Sequence, residues 1–435
     1  MKKSLLIDFG ASRVKSAVFD KENVFDIQSY NPIEAKNTNN KNFEIDLFEI
    51  LKQFKNIVKI YYDKYKIDDV FISSQMHGFA LLDKNNNPLT DYISWKDERC
   101  LNKINGSSSF DILSKTLKDK FLQKTGMNLR PCYPVFNLYH LLREGRIKEK
   151  TFKVVTLADC LSLCDNKSLN ISHDTMIAGL GFYNIYEKSF DKDIINLFKD
   201  FNVDINFNDV TSEVKVCGYI ELDGKNIEIY NGIGDHQCAV FGAGNDETSI
   251  SLNLGTGSQI AMINSVNKNS EKRPYFDNKI LSVITHIPSG RAFNTYINFL
   301  KTVNSEQDYW QILSKITTKD IEKADLNIDM AVFSSAWNYN NGGNILNINE
   351  NNFTLENYLS SLVKSYIEQY ETGIKILGKS EKHSKIILSG GLSKRLPVIK
   401  EYFENKGYTV ELTELFYDEA IEGLKLLSQI KNKEL

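Results

Sequence analysis

A strand–turn–strand pattern with glycine at its turn occurs twice in this chain, once near its start and once just past its middle. Residues 4–19 form the first copy and residues 249–263 form the second, and each copy joins two apolar strands through a turn of glycine and hydroxyl residues. The aligned pairs in the two turns are Asp8 with Asn253, Gly10 with Gly255, and Ser12 with Gly257. A repeat of this kind predicts a duplicated α/β domain, with the two turns facing a shared cleft.

Both turns have the composition of a phosphate-binding loop. Glycine lets the backbone approach a ligand closely, and successive backbone N–H groups in such a turn can point at an anion. A single turn of this type is usually an ordinary hairpin turn, so the argument depends on there being two. We predict that nucleotide phosphates are bound by Gly10, Ser12, Arg13 and Lys15 in the first copy and by Gly255, Thr256 and Gly257 in the second.

A single carboxylate follows another glycine-containing turn. Residues 225–230 have the alternating pattern of a strand, Gly232 and Gly234 permit a sharp turn, and Asp235 stands where a short helix is predicted to begin. Such an aspartate can cap the helix by accepting hydrogen bonds from its first amide groups. It can also act as a general base that takes a proton from a substrate hydroxyl. The two phosphate-type turns elsewhere in the chain favour the second interpretation.

A late glycine pair gives a third candidate nucleotide loop. Residues 385–389 have the apolar pattern of a buried strand, Gly390 and Gly391 follow, and a helical stretch with Pro397 in its first turn comes next. Glycines at the carboxyl end of a strand allow a flat ring to lie against the backbone, where α/β proteins place nucleotides. A plain strand-to-helix turn is the simpler alternative. We predict that both glycines contribute to the nucleotide site.

Two polar segments in the first half of the chain have the features of a sugar site. Residues 75–78 (Gln-Met-His-Gly) follow an apolar strand-like run, and residues 95–99 (Trp-Lys-Asp-Glu-Arg) come after the next turn. Polar side chains at strand ends can bind adjacent hydroxyl groups of a sugar. Taken alone, His77 is more often a structural histidine, and Asp97 with Arg99 is more often a surface ion pair. The predicted substrate contacts are Gln75, Met76, His77, Asp97 and Arg99.

Composition argues against several other classes of function. The chain has 435 residues and a net charge of −3, so it has no basic field for nucleic acid. No apolar segment approaches the length needed to span a membrane. The six cysteines and the histidines lack the spacing of a metal site, and free thiols are typical of the cytoplasm. These features predict a two-domain cytoplasmic protein without a nucleic-acid or membrane partner.

The order of the motifs along the chain resembles the FGGY carbohydrate kinases of the actin-like ATPase superfamily. The motifs are the Asp8 turn, the Gly-x-x-Asp that ends at Asp235, the Gly-Thr-Gly turn at residues 255–257 and the Ser-Gly-Gly loop at residues 389–391. The resemblance covers nearly the whole chain. It implies an α/β fold of two ribonuclease-H-like domains, residues 1–231 and 232–435, with ATP and a sugar in the interdomain cleft.

The same resemblance implies a role for each matching position. Asp235 would be the general base, and Mg²⁺ would lie near Asp8 and Asp235, largely through water. Thr256 and its neighbours would bind phosphate, and the glycine pair of the third loop would bind adenosine. ATP and Mg²⁺ are the implied cofactors, and a homodimer is compatible with the resemblance.

The identity of the sugar is predicted from finer similarities. The combination of Gln-Met-His-Gly with Trp-x-Asp-x-Arg is similar to both xylulokinases and sedoheptulokinases. Residues 234–238, 253–259 and 273–277 look more like sedoheptulokinases, so sedoheptulose is the predicted substrate. Xylulose or another pentulose is the alternative, and a catalytically silent sugar and nucleotide sensor is the alternative from another class. Ala11 departs from the family pattern, because a threonine or serine is usual there.

Overall fold

The computed structural model describes residues 2–21, 23–165, 167–255, 257–265, 267, 270–333, 336–413 and 417–434. These residues form two compact units. The first is Met1–Gly242 with Lys272–Lys279 and Phe416–Leu435, and the second is Ala243–Glu271 with Ile280–Leu415. Each unit is an α/β structure, as the sequence predicted.

The strands, in chain order, are β1 (Lys3–Phe9), β2 (Val14–Asp20), β3 (Asn23–Tyr30), β4 (Ala35–Asn37), β5 (Glu44–Ile45), β6 (Asp69–Ser74), β7 (Ala80–Leu82), β8 (Tyr92–Ile93), β9 (Lys103–Ile104), β10 (Ser107–Ser108), β11 (Thr151–Val155), β12 (Ile171–His173), β13 (Tyr183–Asn184), β14 (Ser189–Phe190), β15 (Asp204–Asn206), β16 (Asp209–Thr211), β17 (Val216–Leu222), β18 (Lys225–Tyr230), β19 (Ile233–Gly234), β20 (Ser249–Leu254), β21 (Gly257–Ile263), β22 (Glu271–Pro274), β23 (Ile280–Pro288), β24 (Asn327–Ile328), β25 (Ile345–Leu346), β26 (Lys385–Ser389) and β27 (Thr409–Leu412).

The α-helices are α1 (Leu47–Tyr65), α2 (Ser109–Leu117), α3 (Asp119–Thr125), α4 (Pro134–Arg143), α5 (Leu157–Leu161), α6 (Asp174–Ile177), α7 (Lys192–Asn196), α8 (Asp235–Gly242), α9 (Gly290–Val303), α10 (Tyr309–Leu313), α11 (Thr318–Lys323), α12 (Leu355–Leu377), α13 (Gly391–Arg395), α14 (Val398–Asn405) and α15 (Glu419–Glu434). Short 3-10 helices lie at Arg99–Leu101, Ala178–Leu180 and Lys199–Phe201. No helix in the described ranges is both long enough and apolar enough to cross a membrane.

The main sheet of the first unit has the strand order β17-β18-β6-β1-β2-β3, and β19 pairs with β6 beyond the end of β18. Strand β1 is antiparallel to β2 and parallel to β6. Helix α1 covers one face because Ile50, Phe54, Ile57 and Val58 are apolar at helical spacing and pack against β1. Asp46 caps this helix by accepting hydrogen bonds from its first amide groups.

The main sheet of the second unit repeats this arrangement. Its strands run β23-β21-β20-β26-β27, with β20 antiparallel to β21 and parallel to β26. Strands β20, β21, β23 and β26 therefore correspond to β1, β2, β3 and β6 of the first unit. Helix α12 packs against this sheet. The shared topology confirms the predicted duplication.

The units divide at a different point from the boundary that the sequence predicted near residue 231. The first unit continues to Gly242. It does so because β19 extends the sheet beside β6 and helix α8 packs against α15, which in turn covers β1 and β6. The C-terminal helix thus belongs to the first unit, although the residues just before it in the chain belong to the second.

Helices α8 and α15 approach each other through glycine. A Cβ atom at Gly423 of α15 would overlap the backbone and the sulfur atom of Cys238 in α8, and one at Gly242 would overlap the carbonyl group of Glu419. The Cys238 Sγ also donates a hydrogen bond of 3.3 Å to the carbonyl oxygen of Ala420. The two helices therefore pack at a short distance that larger residues at Gly242 and Gly423 would not allow.

We predict that Gly423→Ala destabilises the protein by about 1–3 kcal/mol, because the added methyl group forces α15 away from α8. At an unobstructed helix position the same change would stabilise by up to about 1 kcal/mol, because alanine has the higher helix propensity. Thermal unfolding followed by circular dichroism measures the difference. The matched control is Gly391→Ala at the start of α13, where an added Cβ meets no neighbour. A Gly423→Ala protein as stable as this control would contradict the close packing.

Candidate active site

Asp235 is the first residue of α8 and follows directly from β19. Strand β6 pairs in parallel with β1 on one side and with β19 on the other, so the carboxyl ends of these three strands lie at one edge of the sheet. This edge is where α/β proteins place their ligand-binding groups. Asp235 Oδ1 accepts a hydrogen bond of 2.8 Å from the backbone N–H of His236.

The backbone before Asp235 is held tightly. The Gly234 N–H donates a hydrogen bond of 3.2 Å to Thr175 Oγ1, a fully buried hydroxyl of α6. A Cβ atom on Gly234 would come within 2.8 Å of Met76 Sδ and 2.7 Å of Gln237 Oε1. The packing around Gly234 therefore requires glycine at this position. The backbone that leads into Asp235 is held in place by these contacts.

Burial raises the pKa of Asp235 to about 6. The His236 amide and the nearby positive charge of Arg273 act in the opposite direction, whereas the negative charge of Asp418 raises the pKa further. A carboxylate with this pKa is mostly ionised at neutral pH and is still basic enough to take a proton. The environment of Asp235 thus suits a general base better than a simple helix cap.

Asp8 lies on β1 beside a second carboxylate. Its Oδ1 accepts a hydrogen bond of 2.5 Å from Ser73 Oγ on β6. Lys15, opposite Asp8 on β2, forms an ion pair of 2.5 Å with Asp418 at the start of α15. Burial and the charge of Asp418 raise the pKa of Asp8, while Ser73 and Lys15 act to lower it. Two carboxylates and one ammonium group therefore share one end of the sheet.

Lys15 was predicted to bind ATP, and in the structure its ammonium group forms an ion pair with the carboxylate of Asp418. Burial lowers the pKa of Lys15, but the carboxylates of Asp418 and Asp8 outweigh that effect, so its pKa is raised. Its ammonium group is therefore firmly protonated. The contact of Lys15 with ATP stays a prediction.

The tip of the first turn lies at the protein surface. Ser12 and Arg13 are both exposed, and Arg13 Nη1 donates a hydrogen bond of 2.6 Å to Asn31 Oδ1. A Cβ atom on Gly10 would come within 2.9 Å of the Arg13 carbonyl oxygen. Glycine is thus needed for the turn to close, and the side chains of the tip are accessible to a ligand.

The second turn also contains a glycine with little space around it. A Cβ atom on Gly255 would come within 3.1 Å of the Gly257 carbonyl oxygen, while Gly257 itself borders open space. The Gly255 carbonyl oxygen accepts hydrogen bonds from Ser289 Oγ at 2.9 Å and from the Gly290 N–H at 3.2 Å. These contacts bring the N-terminus of α9, which favours anions, beside the turn. The predicted contact at Thr256 lies outside the described residues.

The two glycines of the third loop have different surroundings, because Gly390 lies against other backbone atoms and Gly391 borders empty space. Gly390 has a φ of +84°, and a Cβ atom there would collide with the backbone of Leu254 at the end of β20. Gly391 begins α13 and borders open space. Gly390 is therefore required by the backbone, and Gly391 leaves room for a ligand. Their contact with adenosine stays a prediction.

Met76 approaches the backbone just before the candidate base, and His77 is the next residue after Met76 in the chain. Met76 is buried among Ala158 and Met176, and its sulfur atom approaches Gly234. His77 has a φ of +62°, a strained conformation for a residue with a side chain. The His77 Nδ1 lies 3.0 Å from the carbonyl oxygen of Gly179, so Nδ1 carries the proton and donates it. Strain of this kind is often found at ligand-binding positions, which agrees with the predicted role of His77.

Gln75 lines a cavity of about 310 Å³ in the first unit. The same cavity is lined by Ala11 of the first turn, by Lys96 of the second sugar segment and by Ser94 just before that segment. The Gln75 Oε1 is buried and has no hydrogen-bond partner within the described part of the chain. The cavity thus brings the two predicted sugar segments together beside the first turn.

Asp97 and Arg99 form a buried ion pair, which the sequence did not predict. Their side chains are 0% and 1% exposed, and Arg99 donates hydrogen bonds to both carboxylate oxygens of Asp97 and to Glu44 Oε1. The Asp97 Oδ2 also accepts the Phe43 N–H. These groups bind one another inside the protein instead of forming a surface pair. Their direct contact with substrate stays a prediction.

Two charged residues near Asp235 were not predicted as site residues. Asp418 comes from the start of the C-terminal helix, and Arg273 comes from β22. Arg273 Nη1 lies 3.0 Å from His236 Nδ1. The sequence offered only a weak signal for each, because both lie far along the chain from the groups they contact.

Comparison with known proteins decides the family. Residues 4–250 match the model of the FGGY family of carbohydrate kinases, N-terminal domain, which is more than half of the chain. The chain belongs to the FGGY family of carbohydrate kinases. It is therefore an enzyme that transfers a phosphoryl group to a carbohydrate and uses ATP. A search of the curated proteins by sequence gives no significant match.

Solved structures of kinases share the fold across the whole chain. A ligand-bound xylulose kinase from Lactobacillus acidophilus has a TM-score of 0.79 and 16% identity, covering 100% of this chain and 90% of its own. A gluconate kinase from the same organism has a TM-score of 0.79 and 17% identity, covering 99% and 90%. Glycerol kinase from Plasmodium falciparum with ADP has a TM-score of 0.75 and 16% identity, covering 100% and 90%. At these identities the similarity establishes the fold and confirms that part of the prediction.

We predict that Asp235→Ala abolishes sugar-dependent ADP release, with a loss of at least about 10²-fold, because no other group in its place accepts the proton of the hydroxyl. ATP binding should be retained, since the predicted nucleotide contacts are unchanged. A coupled ADP assay and a nucleotide-binding titration measure the two effects. Asp209→Ala, which removes an exposed carboxylate of the same unit, is the matched control. Near-normal turnover by Asp235→Ala would refute its assignment as the base.

We predict that Arg99→Met costs about 3–5 kcal/mol of stability, because Asp97 is left buried without its counter-ion. Denaturant unfolding measures this loss. The control is Lys59→Met, which breaks the exposed Lys59–Asp63 pair and should unfold like the wild type. An Arg99→Met protein of unchanged stability but raised KM for sugar would instead favour the direct substrate contact.

Proposed function

We propose that this kinase phosphorylates a ketose at a terminal hydroxyl group, with Asp235 as the general base. The observation that carries the proposal is the placement of Asp235 at the carboxyl edge of the sheet, with burial raising its pKa to about 6. Met76 and His77, from the segment that resembles the sugar side of ketose kinases, lie in the same unit, and Met76 approaches the backbone just before Asp235.

The transfer is an in-line displacement. The terminal hydroxyl oxygen of the sugar attacks the γ-phosphorus of ATP, the bond from that phosphorus to the β–γ bridging oxygen breaks, and ADP leaves. Asp235 accepts the proton of the attacking hydroxyl. In a loose transition state this proton leaves late, so a carboxylate of modest basicity is sufficient. The exposed amide groups of the glycine turns would stabilise the charge on the phosphate oxygens.

Magnesium fits the carboxylates at this edge of the sheet. Asp8 and Asp235 supply the hard oxygen ligands that Mg²⁺ prefers, and burial among other acids raises the pKa of Asp8, which a bound cation would reverse. Within the described residues there is no cluster of three or more His, Cys, Asp or Glu side chains arranged to hold a metal. A magnesium ion that keeps most of its water molecules suits such a sparse set. When bound, Mg²⁺ neutralises charge that develops on the transferred phosphoryl group.

Sedoheptulose is the substrate that we place first. Residues 234–238, 253–259 and 273–277 support it through their resemblance to sedoheptulokinases. Xylulose is the second candidate, because residues 75–78 and 95–99 are also similar to xylulokinases and a structure of the same fold is titled a xylulose kinase. The two ketoses differ in chain length, and discrimination between them would rest on individual hydrogen bonds in the sugar site. The six cysteines are free thiols, four of them buried, which favours a cytoplasmic location.

A substrate panel tests this proposal. Purified protein is assayed for ADP release with sedoheptulose, xylulose, ribulose and glycerol, each with Mg²⁺ and ATP. We expect the largest kcat/KM with sedoheptulose, because the finer motif similarities point to a seven-carbon ketose. The Asp235→Ala protein, prepared in the same way, serves as the control for contaminating kinases. A preference for glycerol, or equal and very slow release with every sugar, would contradict a ketose kinase.

A further inference from the structure

Residues Lys272–Lys279 belong to the first unit. The residues that come directly before and after them in the chain belong to the second unit. Several contacts anchor this segment there. The Lys272 N–H donates a hydrogen bond of 2.7 Å to the Gly126 carbonyl oxygen, and the ring centroid of Phe276 lies 4.7 Å from that of Phe241 in α8. Ordering a segment in this way costs conformational entropy, so its contacts in the first unit must be favourable enough to offset it.

This segment places Arg273 close enough to Asp235 for its positive charge to lower the pKa of that carboxyl group. Arg273 is only 8% exposed. Its Nη1 lies 3.0 Å from His236 Nδ1 and 4.0 Å from Met76 Sδ. The guanidinium group therefore lies between His236, which follows the candidate base, and Met76 of the first sugar segment.

The direction of the hydrogen bond between the two side chains follows from their chemistry. An arginine nitrogen can only donate, so His236 Nδ1 accepts and is unprotonated. A neutral imidazole with an unprotonated Nδ1 accepts the N–H of Arg273. The positive charge in this pair thus belongs to Arg273. Other titratable groups of the first unit that interact electrostatically with Asp235 are Asp8, Tyr92, Cys238 and Asp418.

We propose that Arg273 is a specificity-determining residue that binds the oxygen atoms of the sugar chain next to the hydroxyl group that Asp235 deprotonates. A guanidinium group offers several N–H donors in one plane, which matches adjacent oxygen atoms of a polyol better than the point charge of a lysine does. The contact with Met76, from the segment assigned to sugar binding, places the group on the sugar side. This inference rests on the proposed function, because it concerns the same site.

Equilibrium binding of sugar tests the role of Arg273 without turnover. Calorimetry measures the affinities of sedoheptulose and xylulose for the wild type, Arg273→Met and Arg273→Lys. We expect Arg273→Met to weaken binding of the preferred ketose by about 10-fold or more, since a hydrogen bond to a charged group is lost. Arg273→Lys should show a smaller loss, because it keeps the charge but not the planar fork. The affinity for ATP should change by less than about twofold in both variants, since neither alters a predicted nucleotide contact.

Lys272→Met is the matched control. Lys272 is the adjacent cation of the same strand and is also 8% exposed, while its anchoring hydrogen bond uses the backbone N–H and survives the change. This control should bind sugar like the wild type. Thermal unfolding of each variant shows whether it is folded, and Arg273→Lys keeps the test valid if Arg273→Met does not fold.

Turnover of the same proteins separates failure of this inference from failure of the proposed function. If the wild type phosphorylates a ketose and the Arg273 variants bind and convert it equally well, the role of Arg273 is refuted while the kinase assignment stands. If Arg273→Met weakens sugar and ATP binding to the same extent, a general structural role replaces the specific one. If the wild type neither binds nor phosphorylates any ketose of the panel, both proposals are overturned.

Discussion

The parallel pairing of β6 with β1 on one side and β19 on the other determines where the reactive groups of the first unit lie. The register places Asp8 opposite Ser73 and Gly234 opposite Ser74, so Asp235 follows at the same edge. Hydrophobic residues fix this register, because Leu5, Ile7 and Phe9 fill the core under α1 while Asp8 points to the other face. A slip of one residue would exchange the faces and bury the carboxylate among apolar side chains.

Charge balance at this edge depends on segments that are far apart in the sequence. Burial raises the pKa of both Asp8 and Asp235, and the carboxylate of Asp418 adds to both effects. Lys15 and Arg273 oppose the rise from two separate strands. Lys15 thus favours the ionised form of Asp8 and Arg273 favours that of Asp235, whereas α15 acts against both through Asp418. The segment at 272–279 is therefore important for the charge of Asp235, because it carries Arg273.

Local patterns in the sequence predicted the turns and the position of Asp235 at the start of a helix, whereas long-range packing had to be seen in the structure. Gly10, Gly255 and Asp235 could be predicted because a glycine turn and a strand-to-helix junction leave short, recognisable patterns. Asp418 has no such pattern, and residues 273–277 were noticed only for their resemblance to sedoheptulokinases, not for the position of Arg273 near Asp235. The division of the chain at Gly242 depends on long-range packing in the same way.

The pair Asp97 and Arg99 shows a second limit of reasoning from sequence. Two charged residues with one residue between them look like a surface pair or a ligand contact, and the structure buries both with Glu44 as a third member. A sequence shows which polar groups are present but not which of them satisfy one another inside the protein. Asp97, Arg99 and Glu44 therefore bind mainly one another, although Arg99 Nη1 is buried without a hydrogen-bond partner within the described residues.

The two copies of the repeat differ at one position, which is the acid Asp8 in the first copy and the amide Asn253 in the second. In the first unit Asp8 accepts a hydrogen bond from Ser73, and in the second unit Asn253 occupies the equivalent place and donates one of 3.1 Å to Ser389. The hydrogen bond is kept while the negative charge is removed. The duplicated hairpin therefore carries an acid at this position in the first unit and a neutral amide in the second, while a hydrogen bond to the neighbouring parallel strand is present in both.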